Sequence, residues 1–399
     1  MVSFEDILGY EKQVEELKAI CDYLKNTQKY KDMGVKIPDG VLICGESGVG
    51  KTLFANVLAA ESGRTILSPL DKNERGIGRT LKKALKNLPC VLVFDDLDYY
   101  PESLYPAIDD LLTELNGEDI FVISTVTEIE KLSESLLCCD AFDNRIVLKT
   151  PSFEDSKLIF KRFFSDKRVE NNFNLEDFCY IAQDCSVSTV EDIYNDALIY
   201  AVHDGAKEVG MRHIFKAAMK WDEKSIASEF NESTAYHEAG HAVVSLLNGE
   251  EAAYVVLIEG GGQYVEKNRL VKSYRDRQND YLVAFAGNAC EELFMGESAM
   301  GGYTDLGKVS QNIERDNKYL ACQGFEYYDS TELNSPAFND ALAKKVQSDM
   351  QSYYNKAQKM CEENKPLVNA LVEALKTNHY LLHSDIHNIY NKYLKSCKR

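Results

Sequence analysis

Tryptophan occurs once and proline eight times in these 399 residues, and the eleven cysteines include no CxxC pair, with only Cys138 and Cys139 adjacent. An odd, scattered set of thiols argues against a full disulfide framework and points to buried thiols in a reducing cytosol. Long apolar runs are missing too. The longest, such as Cys90 to Phe94 and Tyr254 to Ile258, are strand-sized and fall far short of the ~18 residues that a membrane helix needs. No signal peptide is legible ahead of Ser3. Positive charge is in deficit: Lys+Arg 45 against Asp+Glu 64 leaves a net charge of −19, which disfavours nucleic acid and anionic lipid as main partners. No internal repeat or low-complexity tract interrupts the chain. The expectation is a cytoplasmic chain with no membrane segment of its own.

What remains is globular: 45% hydrophobic and 27% charged residues, enough for two or three domains with real cores. The first half alternates short β-rich runs (Val41 to Cys44, Thr65 to Ser68, Val91 to Phe94, Ile120 to Ser124, Ile146 to Leu148) with helical stretches (Thr52 to Glu61, Thr80 to Lys86, Tyr105 to Leu115). That alternation predicts an α/β module with a parallel sheet covered on both faces, over residues 1–150. Over 151–221 the strands stop and short amphipathic helices predict a small helical lid. A polar linker, 222–228, then leads into a mainly α-helical domain, 229–399, with one strand expected at Ala253 to Ile258 and a glycine cluster at Gly260 to Gly262.

Histidine is scarce, with seven in all, yet His237 and His241 stand four residues apart in Tyr236-His237-Glu238-Ala239-Gly240-His241-Ala242. On a helix they project from one face with Glu238 beside them, which is the outline of a zinc hydrolase site: two imidazole ligands and a carboxylate to act as general base. A catalytic zinc wants three protein ligands and one open position, so a third must come from elsewhere. His379, His383 and His387 also recur at intervals of four. Ser384-Asp385 reads as the capped start of a new helix, so these three are not expected to share one face, and packed or solvated histidines account for them better than a second metal site.

Gly45-Glu46-Ser47-Gly48-Val49-Gly50-Lys51-Thr52 fits the P-loop pattern, and it follows an apolar strand and precedes a helix, as the mechanism requires. Backbone N–H groups wrap the phosphates of ATP at the helix N-terminus, Lys51 reaches the β- and γ-phosphates, and Thr52 holds Mg²⁺. The apolar run Val91 to Phe94 delivers Asp95 as the carboxylate on the Mg²⁺ side. Asp96 stands where a carboxylate polarises the attacking water, one methylene shorter than a glutamate. Positioning errors of ~1 Å cost ~100-fold in rate, so slow ATP hydrolysis is expected.

Ser3-Phe4-Glu5-Asp6-Ile7-Leu8-Gly9-Tyr10, Lys36 to Leu42, the P-loop, Pro89 to Asp98 and Tyr236 to Val243 occur in the order and spacing of the FtsH-type AAA+ zinc metalloproteases. The chain resembles that family over nearly its whole length. The resemblance implies a homo-hexameric ring, in which an ATPase layer unfolds protein substrates and passes them to a zinc peptidase layer. Family anchors precede the ATPase, and Met1 stands almost at its start, so membrane association is expected only where an N-terminal anchor lies upstream. For the third zinc ligand the resemblance points to Asp305, in Met300-Gly301-Gly302-Tyr303-Thr304-Asp305-Leu306. Glu291 or Glu292 is the rival, and an N-cap role for Asp305 is compatible with ligation. The resemblance also suggests that the strand Ala253 to Ile258 offers its edge to an extended peptide. Tyr264 either lines that cleft or packs beneath it.

The departures from the family concern the motor. The segment Ser68 to Gly78 looks shortened and holds no aromatic residue where the family carries an aromatic pore loop. Cys138 and Ala141 stand where the family places two arginines before a Phe-Asp pair, with Arg145 the nearest substitute, and Thr127 replaces a sensor asparagine. An arginine finger is worth ~10³–10⁵ in rate where measured. The leading expectation is therefore an ATP-binding, zinc-dependent endopeptidase for unfolded or loosely folded proteins, with impaired ATP hydrolysis. Competing with it are a nucleotide-responsive assembly protein with incidental proteolysis, and an unfoldase that grips without aromatics.

Overall fold

The computed structural model describes residues 2–36, 38–115, 117–137, 142, 144–183, 185–268, 273–297, 303–319 and 336–397. Helices α1 (Glu11–Lys25) and α2 (Thr27–Asp32) lead into β1 (Gly40–Gly45), α3 (Lys51–Glu61), β2 (Thr65–Leu67), α4 (Glu74–Ala84), β3 (Cys90–Phe94), α5 (Tyr105–Glu114), β4 (Ile120–Val126), α6 (Glu134–Leu137) and β5 (Arg145–Leu148). The five strands form one parallel sheet in the order β2-β3-β4-β1-β5. Strands β1, β3 and β4 are buried along nearly their whole length, as expected of strands covered by helices on both faces. One face packs Phe54, Val57 and Leu58 of α3; the other packs Ile108, Leu111 and Leu112 of α5. An α/β module of this kind places the loop after β1 at the carboxyl edge of the sheet, where ligands bind in open α/β folds.

Helices α7 (Phe153–Phe163), α8 (Leu175–Ile181), α9 (Val187–His203) and α10 (Met211–Trp221) follow. Asn174 caps α8 by accepting from the N–H groups of Glu176 and Asp177, and Ser152 caps α7 through Asp155. The remainder comprises α11 (Glu232–Leu247), β6 (Ala252–Ile258), β7 (Gly261–Glu266), α12 (Tyr274–Met295), α13 (Tyr303–Tyr319), α14 (Pro336–Glu363), α15 (Lys365–Asn378), β8 (Tyr380–Leu382) and α16 (His383–Cys397). Two compact units result: Met1–Arg168 with Asp184–Asn195, and Val169–Gln183 with Asp196–Arg399. They cut across the expected lid, assigning α8 and α10 to the same unit as the C-terminal helices.

Three differences from the sequence expectations bear on the site. The C-terminal region carries a three-stranded antiparallel sheet, β7-β6-β8, where one strand was expected. Strand β6 is its central strand, paired on both sides, so it has no edge for a peptide; the edge strands are β7, which borders the cleft, and β8. The linker is pinned rather than loose, because Ile226 bridges Ile258 and Ala227 N–H donates to the Leu257 carbonyl at 2.8 Å. Helix α4 begins at Glu74, with Asn73 accepting from Gly76 N–H, so about half of the Ser68 to Gly78 segment that stands at the family's pore loop is helical. Among the described residues no helix is long and apolar enough to cross a membrane.

Candidate zinc and nucleotide sites

Helix α11 owes its position to small residues. Ala235, Ala239 and Ala242 are fully buried, and a Cβ on Gly240 would lie 2.4 Å from the Ala286 carbonyl oxygen of α12. Only glycine lets the two helices approach this closely. That approach delivers His237, Glu238 and His241, exposed by 8%, 5% and 7%, to a cleft of about 690 Å³ that also contains Gly262, Tyr264, Glu291 and Lys308.

Helix α12 orients both imidazoles. Its Val283 carbonyl lies 2.6 Å from His241 Nδ1, which fixes Nδ1 as the protonated nitrogen and leaves the lone pair on Nε2. Glu291 Oε1 lies 3.4 Å from His237 Nδ1 and accepts a hydrogen bond from Ser233 Oγ at 3.3 Å. The two rings meet edge to face with centroids 4.7 Å apart. Gly287 of α12 sits against His237: a Cβ there would fall 2.5 Å from Nε2. On the opposite wall, a Cβ on Gly262 of β7 would fall 2.5 Å from Glu238 Cγ. Tyr264, also on β7, does both things expected of it, lining the cleft while donating to Ser245 Oγ at 2.6 Å.

Of the third-ligand candidates, Glu292 points elsewhere and accepts from Tyr354. Glu291 borders the cleft and is engaged with His237. Asp305 falls in the first turn of α13, two residues past its start at Tyr303, so the N-cap role is not its own; its side chain lies outside the described residues. Two imidazoles of defined orientation and nearby carboxylates are a donor set that suits zinc. His379 stands at the C-cap of α15, apart from His383 and His387, which lie one turn apart on α16 with tilted rings 4.2 Å from centroid to centroid. His383 also lies on Tyr180 at 3.9 Å and its Nδ1 bonds the Ala252 carbonyl at 2.8 Å. They pack the sheet to the helices.

In the first unit, the P-loop runs from the end of β1 into α3. Gly48 takes φ of 77° and a Cβ there would lie 2.2 Å from Ser188 Oγ; Gly50 takes φ of 99°. Lys51 is buried and donates to the carbonyls of Gly45 and Glu46 at 2.9 and 2.8 Å. Burial lowers its pKa, opposed by Asp96, Asp98 and Asp95. Thr52 Oγ1 donates to Asp95 at 3.1 Å, so the hydroxyl and the carboxylate assigned to Mg²⁺ do meet. Asp96 sits in the left-handed region at φ 50° and borders a cavity of about 600 Å³ with Ser47, Val49, Gly50, Lys51 and Thr127. Burial first, then the neighbouring Asp95, raises its pKa.

Sequence reasoning missed Thr125. Fully buried in β4, its hydroxyl donates to Asp95 at 2.7 Å and accepts from Asp96 N–H at 2.7 Å, tying together both acids. A pair of hydroxyls, Ser124 and Thr125, near the end of an apolar strand was the available signal. Asp98 likewise holds the turn after β4 by accepting from the N–H groups of Thr127 and Glu128 at 3.2 and 2.9 Å. Arg145 folds back onto the carbonyls of Phe142 and Leu137 at 3.2 and 3.1 Å. Cys138, Ala141 and the glycines before Tyr303 lie outside the described residues.

Residues 41–150 match the family described as "ATPase family associated with various cellular activities (AAA)". The ATP-dependent zinc metalloprotease FtsH of Ruminiclostridium cellulolyticum is 27% identical over 94% of this chain and 69% of its own length. FtsH 2 of a Thermoanaerobacter species is 26% identical over 94% and 80%, and FtsH of Parabacteroides distasonis 24% over 98% and 64%. The chain thus spans about two thirds to four fifths of these relatives. An AAA sheet carrying a P-loop, continued by a helical region, and alignments to FtsH proteins that run through nearly the whole of this chain make it similar to the FtsH-type AAA+ zinc metalloproteases.

Proposed function

We propose that this protein is a zinc-dependent endopeptidase that cleaves unfolded or loosely folded polypeptides, working in a homo-hexameric ring whose ATPase hydrolyses slowly. The observation that carries the reading is the convergence of His237, Glu238 and His241 on one cleft, with each imidazole oriented by α12. His237, His241 and Asp305 are the metal ligands in this reading. Bound zinc lowers the pKa of water toward ~7 and polarises the scissile carbonyl. Glu238 takes the proton of the attacking water and passes it to the leaving amine. Glu291 holds the His237 ring, and the Val283 carbonyl holds that of His241, so neither ring must reorganise during turnover. The substrate, extended, adds to β7, the edge strand on the cleft wall.

In the nucleotide site, Lys51 meets the phosphates, Thr52 and Asp95 hold Mg²⁺, and Asp96 orients the attacking water. Slow turnover is supported by the short reach of Asp96. The membrane association of the working ring depends on any anchor upstream of Met1.

The test is cleavage of unfolded casein by zinc-loaded protein, with and without ATP, beside Glu238→Gln. Wild type should cleave and the variant should not; equal cleavage by both sinks the peptidase reading and leaves a nucleotide-responsive assembly protein. ATP turnover measured against Lys51→Ala addresses the motor, and Lys51-dependent turnover at ordinary AAA+ rates contradicts the slow-hydrolysis proposal.

A further inference from the structure

Val309, Ile313 and Asp316 form the buried stripe of α13, at 5%, 2% and 3% exposure. At about 100° per residue, position 305 lies within about 20° of position 316 on the helix wheel and about 16 Å away along the axis. Position 305 therefore falls on the same side of the α13 wheel as Val309, Ile313 and Asp316. The first two contacts of that stripe are apolar and non-directional, and could accommodate a slip of the helix along its neighbour.

Asp316 is different. Its Oδ2 receives the Tyr281 hydroxyl and lies 2.9 Å from Arg277 Nε, both side chains belonging to α12 one turn apart. Arg277 Nε also donates to the Tyr281 hydroxyl oxygen at 3.1 Å. Burial and the carboxylate push the Tyr281 pKa upward, so it stays protonated as the donor. A largely buried ionic cluster is a poor way to gain stability over apolar packing, but its directional hydrogen bonds specify one arrangement. Helix α12 already orients His241 through Val283 and His237 through Glu291.

We propose that Arg277, Tyr281 and Asp316 form a positioning clamp that fixes the register of α13 on α12 and so holds Asp305 at the metal centre. Helix α12 then acts as a single rail for all three ligands. The proposal rests on the reading of Asp305 as third ligand, and none of the three clamp residues touches substrate.

The test measures zinc affinity of the full chain by competition with a chromophoric chelator, and the melting temperature of the metal-free protein. Asp316→Asn and Tyr281→Phe should each weaken zinc binding about 10- to 100-fold, and the double variant no more than the worse single, since both break one contact. Glu314→Gln, which breaks a half-exposed pair with Lys318 on the same helix, should leave affinity unchanged. A lowered melting temperature with zinc affinity within twofold of wild type would assign the cluster to structure alone and overturn the clamp. Should Asp316→Asn fail to fold, Tyr281→Phe decides by the same criterion. Asp305→Ala separates the two readings: if it binds zinc as wild type does, the ligand assignment fails; if it binds weakly while the clamp variants bind normally, the clamp fails alone.

Discussion

Replacing Gly287 with alanine sets two effects of known sign against each other. In a helix interior, glycine to alanine favours the fold by about 1 kcal/mol. Here the new Cβ would lie 2.5, 2.6 and 2.7 Å from Nε2, Cε1 and Cδ2 of His237. Ordinary contact begins near ~3.5 Å, so the ring must retreat by about 1 Å. It has little freedom to do so, because Glu291 stands 3.4 Å from Nδ1 and the His241 ring lies edge-on at 4.7 Å. A misplacement of ~1 Å costs ~100-fold, or about 2.7 kcal/mol. Gly287→Ala is therefore expected to leave the metal-free protein at or below the heat stability of wild type, the displaced ring offsetting the helical gain, while zinc affinity and casein cleavage each fall ~10- to 100-fold. Calorimetry on the metal-free protein and chelator competition on the same sample read both effects. Zinc affinity and cleavage both within twofold of wild type would refute the claim that α12 sets the ligand by close approach.

Gly262→Ala presses instead on Glu238, at 2.5 Å from Cγ, so kcat should drop by roughly 10- to 100-fold with zinc affinity unchanged; a loss of zinc affinity would show that β7 supports the ligands as well as the base. Thr125→Val keeps the shape but strips a hydroxyl bonded to both Asp95 and Asp96, and should cost about 1–3 kcal/mol of stability in chemical denaturation together with weaker Mg-nucleotide binding; unchanged nucleotide affinity would limit Thr125 to packing. Asp96 has its pKa raised by burial and by Asp95, so the fold favours its protonated form: that advantage is complete below the carboxylate range and lost as pH rises through it. Asp96→Asn should therefore raise the melting temperature of nucleotide-free protein at neutral pH and give no gain near pH ~3; equal gains at both pH values would refute the assignment.

The parallel sheet was legible because β1, β3 and β4 are unbroken apolar runs between helical patterns. Strand β7 was not, since Gly261-Gly262-Gln263-Tyr264-Val265-Glu266 has no apolar run and is only half-buried along its length, and β8 is three residues whose strand character comes from pairing with β6. The start of α12 carries a legible signal, the Ser273–Asp276 capping box. In the site, His237, Glu238 and His241 announced themselves by spacing alone. Their supports did not: Val283 acts through its carbonyl, Gly240, Gly262 and Gly287 through the absence of a side chain, and such contributions depend on which helix arrives opposite. Glu291 was legible only as a rival ligand, because nothing in the sequence distinguishes a carboxylate that binds metal from one that steers an imidazole.

The placement of α8 has a consequence for synthesis on the ribosome. Asp177 of α8 accepts from the backbone N–H and hydroxyl of Ser384 at 2.8 and 2.6 Å, and Tyr180 lies on His383 and donates to Glu251. The helix emerges early and packs against β6 and α10 as well, yet the α16 partners Ser384 and His383 are among the last residues translated. The α/β module can close its sheet while the chain is still growing, whereas α8 lacks the ring that covers Tyr180 and the hydrogen-bond partner of Asp177 until α16 has been released. A chain truncated before residue 380 would thus leave α8 without two of the side chains that hold it, although the cut lies about 200 residues further along the sequence.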